Sequence, residues 1–132
     1  MNGLISLASI SISEKKGPEG NNEFIKDIDK MLTALEQIAW EKNKIPALTE
    51  FGYGQVPDST WWTGVLLKAL QSHKISYALA WRNAGKKSDG SAEYYLPFKG
   101  QVSEKDFARF YKDKKTLFQK DISIEKLYDE KK

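Results

Sequence analysis

The chain has 132 residues, of which 40% are hydrophobic and 30% charged, so it can bury one ordinary core and is not disordered throughout. Its 21 basic residues are interspersed with 18 acidic ones, a balance that predicts neither a phosphate-tracking stripe nor a nucleic-acid partner. The lack of cysteine excludes disulfides and thiolate chemistry, and any histidine-based site would depend on His73 alone.

The chain begins with a short apolar segment. Residues 4–12 are rich in small and β-branched side chains, which predicts a strand. This run is too short to span a bilayer, and the first basic residue, Lys15, follows it instead of preceding it. We therefore expect neither a membrane segment nor a signal peptide. Residues 14–22 carry glycine, proline and charges, which predicts a loop.

The clearest helix comes next. Apolar residues recur at three- and four-residue steps and form one stripe: Phe24, Ile28, Met31, Leu32, Leu35, Ile38 and Ala39. We expect this stripe to be a core face, in preference to the surface of a helical interaction module over residues 22–43. Asn21 or Asn22 is predicted to cap the first amides, and Asn43 to end the helix in a left-handed conformation.

Two further strands and a helix follow. Residues 45–50 are apolar and end in Glu50, which predicts a strand whose second residue is a proline. Residues 51–54 are predicted to turn the chain, and residues 57–60 to begin a helix that carries Trp61 and Trp62. Residues 75–80 predict another strand, which leads into Trp81 and Arg82.

The last third of the chain is predicted to hold a loop, a helix and a tail. Residues 83–91 are polar and contain glycine, which predicts a loop. Ser103 and Asp106 have the spacing of a capping box, which opens a helix bearing Phe107, Phe110 and Tyr111. Residues 123–132 are crowded with lysines and acids, so they predict a surface helix or a frayed tail.

Strands that alternate with helices predict an α/β fold with right-handed βαβ units and a parallel sheet. A complete (β/α)8 barrel needs about 200 residues or more, so this chain can hold about three of its eight units. The fold class predicted is therefore a partial (β/α)8 barrel. His73 follows a helix and precedes a strand, away from the face where barrel sites lie, and is expected to be a helix C-terminal cap.

Two predicted strand ends carry residues suited to a site. A carboxylate that closes an apolar strand, such as Glu50, is costly to bury unless it is paired or lies in a wet cleft. A solvated or arginine-paired strand terminus is its purely structural alternative. Trp81 beside Arg82 suits a sugar, whose apolar face stacks on indole while its hydroxyls need charged or amide partners. Arg82 on an adjacent strand would also keep Glu50 ionised.

These segments resemble glycoside hydrolase family 26, the β-mannanase type. Residues 47–50, followed by an aromatic-glycine step, resemble the nucleophile motif on the seventh barrel strand, and residues 58–62 resemble the start of the next helix. Residues 78–83 resemble the eighth strand, and residues 94–118 resemble the segment that closes the barrel. The Thr-Glu-Phe-Gly step also resembles family 5 enzymes, but the closing segment favours family 26. Residues 4–12 would correspond to the sixth strand.

The resemblance implies an endo-β-1,4-mannanase that hydrolyses mannan with retention of configuration and without metal or cofactor. Glu50 would be the nucleophile, and the substrate-binding residues would be Tyr53, Trp81, Arg82 and Asn83. The family's acid/base glutamate lies on its fourth strand and has no counterpart here. The 132 residues would form a single C-terminal fragment of the catalytic domain, covering strands six to eight.

We therefore expect the chain by itself to be inactive. Its partners would be β-mannan or a related polysaccharide, together with a second copy or a missing N-terminal half, and neither nucleic acid nor membrane. The parent family is secreted, periplasmic or at the cell surface. A non-catalytic sugar-binding or structural remnant, or a family 5-like fragment, is the alternative.

Overall fold

Parallel strands assemble around one central strand. β3 (Ile45–Gly52) pairs with β1 (Leu4–Ser6) and β2 (Ile10–Ser11), which share one register along it. β4 (Ala78–Ala80) pairs with its other edge, again in parallel. The predicted mixed α/β architecture with a parallel sheet is therefore confirmed.

The computed structural model describes residues 4–6, 10–11 and 18–122. Part of the predicted first strand and the predicted tail, residues 123–132, lie outside the described residues. β4 begins at Ala78 and not at residue 75 as predicted, although the preceding residues already bond to β3. The amide of Ser76 donates to the carbonyl of Pro46 over 2.9 Å.

The long helix α1 (Pro18–Glu41) covers one face of β3. Five residues of the predicted stripe are buried, whereas Met31 is partly exposed and Ile38 is exposed: the buried ones are Phe24, Ile28, Leu32, Leu35 and Ala39. The stripe is thus confirmed as a core face. Burying each of the larger side chains contributes about 1.5–3 kcal/mol relative to leaving it exposed.

The start of α1 differs from the sequence-based prediction. The helix begins at Pro18, since proline suits the first helical turn, where its missing amide hydrogen leaves no bond unmade. The predicted loop is therefore wrong over residues 18–22, whereas residues 14–17 lie outside the described residues. The predicted capping by Asn21 or Asn22 is also wrong. Asn21 lies inside the helix and donates from Nδ2 to Oδ2 of Asp58 over 2.7 Å. The helix end is as predicted, with Asn43 left-handed at φ 52°.

Shorter helical elements complete the described chain. A π-helical turn (Trp62–Leu66) runs directly into α2 (Leu67–Leu70), α3 spans Glu104–Lys112, and a 3-10 turn (Gln119–Asp121) follows. None of the described helices is long and apolar enough to cross a membrane.

An aromatic cluster fills the space between α1, β3 and α3. Trp61 and Trp62 are fully buried and meet edge to face, with ring centroids 5.0 Å apart. Phe24 of α1 lies 5.5 Å from Trp61, and Phe107 of α3 lies 4.8 Å from Trp62. The indole pair therefore links the two helices through one continuous core.

Asp106 caps a helix other than its own. It is buried, and its two carboxylate oxygens accept hydrogen bonds from the amide (2.9 Å) and the hydroxyl (2.6 Å) of Thr63. The amides at a helix start lack partners within the helix. Asp106 therefore provides, from the opposite side of the core, the acceptor that the Thr63 amide at the start of the π-helical turn needs. The predicted capping box is wrong, because the Ser103 side chain makes no capping bond to α3.

A β-hairpin occupies the region predicted as a loop over residues 83–91. β5 (Gly85–Lys86) pairs antiparallel with β6 (Ala92–Glu93). Its turn is held locally, because Asp89 accepts hydrogen bonds from the amide (2.9 Å) and hydroxyl (2.6 Å) of Ser91. The loop prediction missed this pairing because the strands are only two residues long.

His73 ties the end of α2 to α1. Its amide donates to the carbonyl of Leu70 over 3.0 Å, so it stands at the helix end as expected. Its ring does not cap α2, because Nδ1 lies 2.8 Å from Oε2 of Glu36 and Nε2 lies 3.1 Å from Oδ1 of Asp29. With only 4% of its side chain exposed, the imidazole serves as a bridge between helices.

Glu36 gives this bridge a pH dependence. Burial alone would raise the pKa of Glu36, but hydrogen bonds from His73 and from the amide of Lys74 outweigh burial and lower the pKa. A carboxyl whose pKa falls on folding stabilises the protein above its unfolded pKa of 4.5, and that contribution disappears as pH falls through the folded pKa.

We expect Glu36→Gln to lower the free energy of unfolding by about 0.5–1.5 kcal/mol at neutral pH. Urea unfolding should show this difference vanishing once the pH lies below the folded pKa of Glu36. Glu41→Gln, on the exposed end of α1, is the control and should have little effect at either pH. A loss of unfolding free energy that is equal at neutral and acid pH would contradict a lowered pKa for Glu36.

Candidate functional site

The register between β3 and β4 slips beside Glu50. Leu48 and Phe51 are three residues apart on β3, yet their partners on β4, Ala78 and Ala80, are only two residues apart. One extra residue of β3 is therefore accommodated at Thr49 and Glu50, which is the arrangement of a β-bulge. Bulges are frequent next to active sites, where they re-aim a side chain.

The bulge lies between two buried residues of β3. Strict alternation would put Leu48 and Phe51 on opposite faces of the strand, but both are buried in the same cluster with Trp61. Glu50, between them, is only partly buried. It lies near the carboxyl end of a central parallel strand.

Trp81 and Arg82 follow directly after β4. The amide of Trp81 donates to the carbonyl of Phe51 over 2.8 Å, so the ladder between the strands continues to the residue next to Glu50. The guanidinium carbon of the exposed Arg82 lies 5.9 Å from the centroid of the Trp81 ring, within the range of a cation–π contact. Among the described residues, no salt bridge joins Arg82 to Glu50.

Asn83 uses its side chain to hold a loop. Its Oδ1 accepts from the amides of Tyr95 (2.8 Å) and Leu96 (2.9 Å), and its Nδ2 donates to the carbonyl of Leu96 over 3.1 Å. A sugar hydroxyl would compete with these three bonds. The structure therefore gives Asn83 a positioning role, which its place after Trp81 and Arg82 in the sequence did not reveal.

Tyr53 is buried at the end of β3, with its ring centroid 5.6 Å from that of Trp61. Burial and the neighbouring charge of Asp58 raise the pKa of the Tyr53 phenol, so it remains a neutral hydroxyl. One face of Tyr53 nevertheless borders an open cleft.

This cleft, of about 380 Å³, lies between the turn after β3 and the β5–β6 hairpin. Its walls combine aromatic and polar side chains, among them Tyr53, Gln55, Lys87, Glu93, Tyr94 and Tyr95. Nζ of Lys87 and Oε2 of Glu93 form an ion pair of 2.9 Å at the rim, which raises the pKa of Lys87. Aromatic walls with a few polar groups are typical of sites for small polar molecules with apolar faces.

Tyr95 lies directly against β3. A Cβ added at Gly52 would come within 2.7 Å of Cδ1 of Tyr95, so the tyrosine ring can take this position only over a glycine. Gly52 is two residues beyond Glu50, which puts Tyr95 at the same strand end. Sequence reasoning missed Tyr95, and the glycine inside an aromatic strand end was the available signal.

No metal site accompanies these residues. Among the residues that the structure describes, no group of three or more histidine, aspartate or glutamate side chains is arranged to hold a metal ion.

Comparison with solved structures finds glycoside hydrolase family 26 (GH26) mannanases. A GH26 β-mannanase from Bacteroides ovatus is 38% identical to this chain with a TM-score of 0.68, over 88% of this chain and 30% of that one. A modular family 26 endo-β-1,4-mannanase from Cellulomonas fimi gives a TM-score of 0.68 at 24% identity, over 91% and 26%. The catalytic domain of a GH26 endo-β-1,4-mannanase from Bacillus sp. JAMB-750 gives 0.68 at 22% identity, over 95% and 34%.

The two matches of lower identity show a shared fold alone. The chain spans between 26% and 34% of the length of these three relatives, so it corresponds to part of their folds. No protein-family model and no curated protein matches the chain.

The contact between Gly52 and Tyr95 can be tested by a double-mutant cycle. We expect Gly52→Ala to lower the free energy of unfolding by about 1–3 kcal/mol, because the new methyl group displaces the ring. In a Tyr95→Ala background the same substitution should cost little. Gly54→Ala is the control, since nothing lies within 4 Å of a Cβ there. Equal costs of Gly52→Ala in both backgrounds would contradict the contact.

Proposed function

We propose that this chain, which belongs to glycoside hydrolase family 26, supplies the nucleophile side of a cleft that hydrolyses β-1,4-mannan. The main supporting observation is the β-bulge at Thr49 and Glu50, near the carboxyl end of the central strand, where Glu50 is only partly buried. The match to a β-mannanase at 38% identity supports the substrate class. In this proposal β1 and β2 belong to barrel strand six, β3 is strand seven and β4 is strand eight.

Glu50 is the proposed nucleophile. Its carboxylate oxygen attacks the anomeric carbon as the glycosidic carbon–oxygen bond breaks, and water later hydrolyses the resulting ester. The leaving oxygen needs a proton from a second carboxyl group about 5–5.5 Å from the first. Glu93, a carboxylate that borders the cleft, is paired with Lys87, so we propose that the acid comes from outside this chain.

Trp81 and Arg82 are proposed to bind the sugar beside Glu50. The indole offers an apolar face for a pyranose ring, and the exposed guanidinium offers several donors for its hydroxyls. The contact of 5.9 Å between them would hold the guanidinium over the indole ring. Tyr53, whose hydroxyl is kept neutral, would add a hydrogen bond from the floor of the cleft.

We expect the purified chain to bind mannooligosaccharides without hydrolysing mannan. Titration monitored by tryptophan fluorescence should give a saturable signal, and Trp81→Ala should weaken binding by roughly tenfold or more, given the 1–3 kcal/mol typical of a lost stacking partner. Trp40→Ala is the matched control, because Trp40 lies on α1 with 86% of its surface exposed. Release of reducing ends from glucomannan should not exceed that of a Glu50→Gln variant.

Three results would contradict parts of this proposal. Activity on glucomannan that disappears in Glu50→Gln would show that the chain holds its own acid. An absence of binding to mannose-based, glucose-based and xylose-based oligomers would leave only a structural role. Binding that survives Trp81→Ala unchanged would remove Trp81 from the site.

The outer edge of β4 is proposed to join the rest of a barrel or a second copy of the chain. Leu79 is 47% exposed and Tyr77 is 42% exposed along this edge, and no described strand pairs with its outer side. Strand edges with exposed apolar side chains tend to find partners. We expect light scattering to give a mass above that of the monomer, and Leu79→Lys to lower it. A concentration-independent monomer would contradict this expectation.

A further inference from the structure

The turn that follows β3 has a strained backbone. Gln55 and Val56 have φ angles of 62° and 37°, in the left-handed region that favours glycine. For a β-branched residue such as Val56 this conformation is a genuine outlier, and it persists only where surrounding contacts enforce it. Because Val56 is fully buried, it cannot relax toward solvent.

Gln101 supplies the enforcing contacts. Its side-chain Nε2 donates to the carbonyl of Gln55 over 3.0 Å and to the carbonyl of Val56 over 2.9 Å. Its Oε1 accepts from the amide (2.7 Å) and the hydroxyl (2.6 Å) of Ser103. Both donors and both acceptor positions of the amide are therefore used, which fixes the orientation of a buried side chain.

The Gln55–Val56 turn, which Gln101 holds in place, is bonded to one wall of the cleft. The amide of Gln55 donates to the carbonyl of Tyr94 over 2.8 Å, and its Nε2 donates to the carbonyl of Ala92 over 3.3 Å. These bonds attach the hairpin to the turn immediately before Tyr95, the residue whose ring covers Gly52. A displacement of the turn would therefore move Tyr94 and Tyr95 relative to Glu50.

We propose that Gln101 is a positioning residue of the sugar cleft, acting through the strained Gln55–Val56 turn to set the tyrosine wall against the strand of Glu50. The sugar-binding consequence rests on the proposed function. The clamp, meaning the two hydrogen bonds from Gln101 to the carbonyls of Gln55 and Val56, does not depend on that function. Gln101 does not itself line the cleft but bonds to the carbonyl of Gln55, which does, so its effect on a ligand there is indirect.

Gln101→Glu tests the clamp with little change of shape. The substitution keeps an acceptor for Ser103 but replaces the donating amide with an oxygen that faces two carbonyl oxygens. Ser103→Ala is the matched control. It removes the hydroxyl bond to Oε1 of Gln101 and the 3.0 Å bond from Nε1 of Trp62, but it keeps the bond from the Ser103 amide and the two bonds to the turn. Hydrogen exchange of the amides of Gln55 and Val56 is the direct measurement.

We expect exchange at these two amides to accelerate roughly tenfold or more in Gln101→Glu and to remain near the unsubstituted rate in Ser103→Ala. Gln55→Gly should restore slow exchange at Val56 in the Gln101→Glu background, because glycine adopts a positive φ without strain. If Gln101→Glu does not fold, rescue of folding by Gln55→Gly supports the clamp, and failure of that rescue overturns it. Equal exchange in the two single variants also overturns it.

Binding of mannooligosaccharides separates the clamp from the proposed function. If the unsubstituted chain binds, affinity should fall severalfold in Gln101→Glu and stay unchanged in Ser103→Ala, and equal affinities would overturn the positioning role. If the unsubstituted chain binds no sugar, the proposed function fails and the sugar-binding part of this inference fails with it. The hydrogen-exchange result still decides whether Gln101 holds the turn.

Discussion

The register slip between β3 and β4 is the constraint on which the arrangement of the site depends. A strand that alternates regularly cannot bury Leu48 and Phe51 in one core, because residues three apart face opposite sides. The extra residue at Thr49 and Glu50 removes this conflict. The core keeps both apolar residues, and Glu50 between them is only partly buried.

Side chains distant in the sequence form hydrogen bonds to the segments that follow β3. Asp106 of α3 accepts a hydrogen bond from the Thr63 amide at the start of the π-helical turn. Gln101 donates to the carbonyl of Gln55 in the turn that follows β3. Trp61 packs against Tyr53 and Trp62, with its Nε1 buried and without a hydrogen-bond partner among the described residues. Leaving that donor unpaired costs about 1–3 kcal/mol, which the burial of a whole indole among aromatic rings offsets.

The sequence predicts those features that depend on local patterns. The stripe of α1, the left-handed Asn43 and the buried helix that begins at Trp61 follow from periodicity and from intrinsic backbone preferences. The features it does not predict depend on partners distant in the chain. Asp106 has the spacing of a cap for its own helix, yet it bonds to Thr63, 43 residues away.

In the candidate site, too, some features follow from local sequence patterns and others depend on partners distant in the chain. Glu50 is visible in the sequence because a carboxylate is costly to bury next to an apolar run, and Trp81 is visible because Arg82 follows it directly. The bulge, the use of the Asn83 amide within the loop, and the place of Tyr95 over Gly52 all require knowledge of which segments meet. They are tertiary features, and no single-residue propensity encodes them.

Covalent trapping with 2-deoxy-2-fluoro-β-mannosyl fluoride tests whether Glu50 is a nucleophile. Fluoride leaves without protonation, so attack by a carboxylate oxygen on the anomeric carbon does not require the acid partner, and the fluorine at C2 slows hydrolysis of the ester. Mass spectrometry should find the sugar on the peptide containing Glu50, and Glu50→Gln should abolish the adduct. An adduct on another residue, or none at Glu50, would contradict the role of Glu50 as nucleophile.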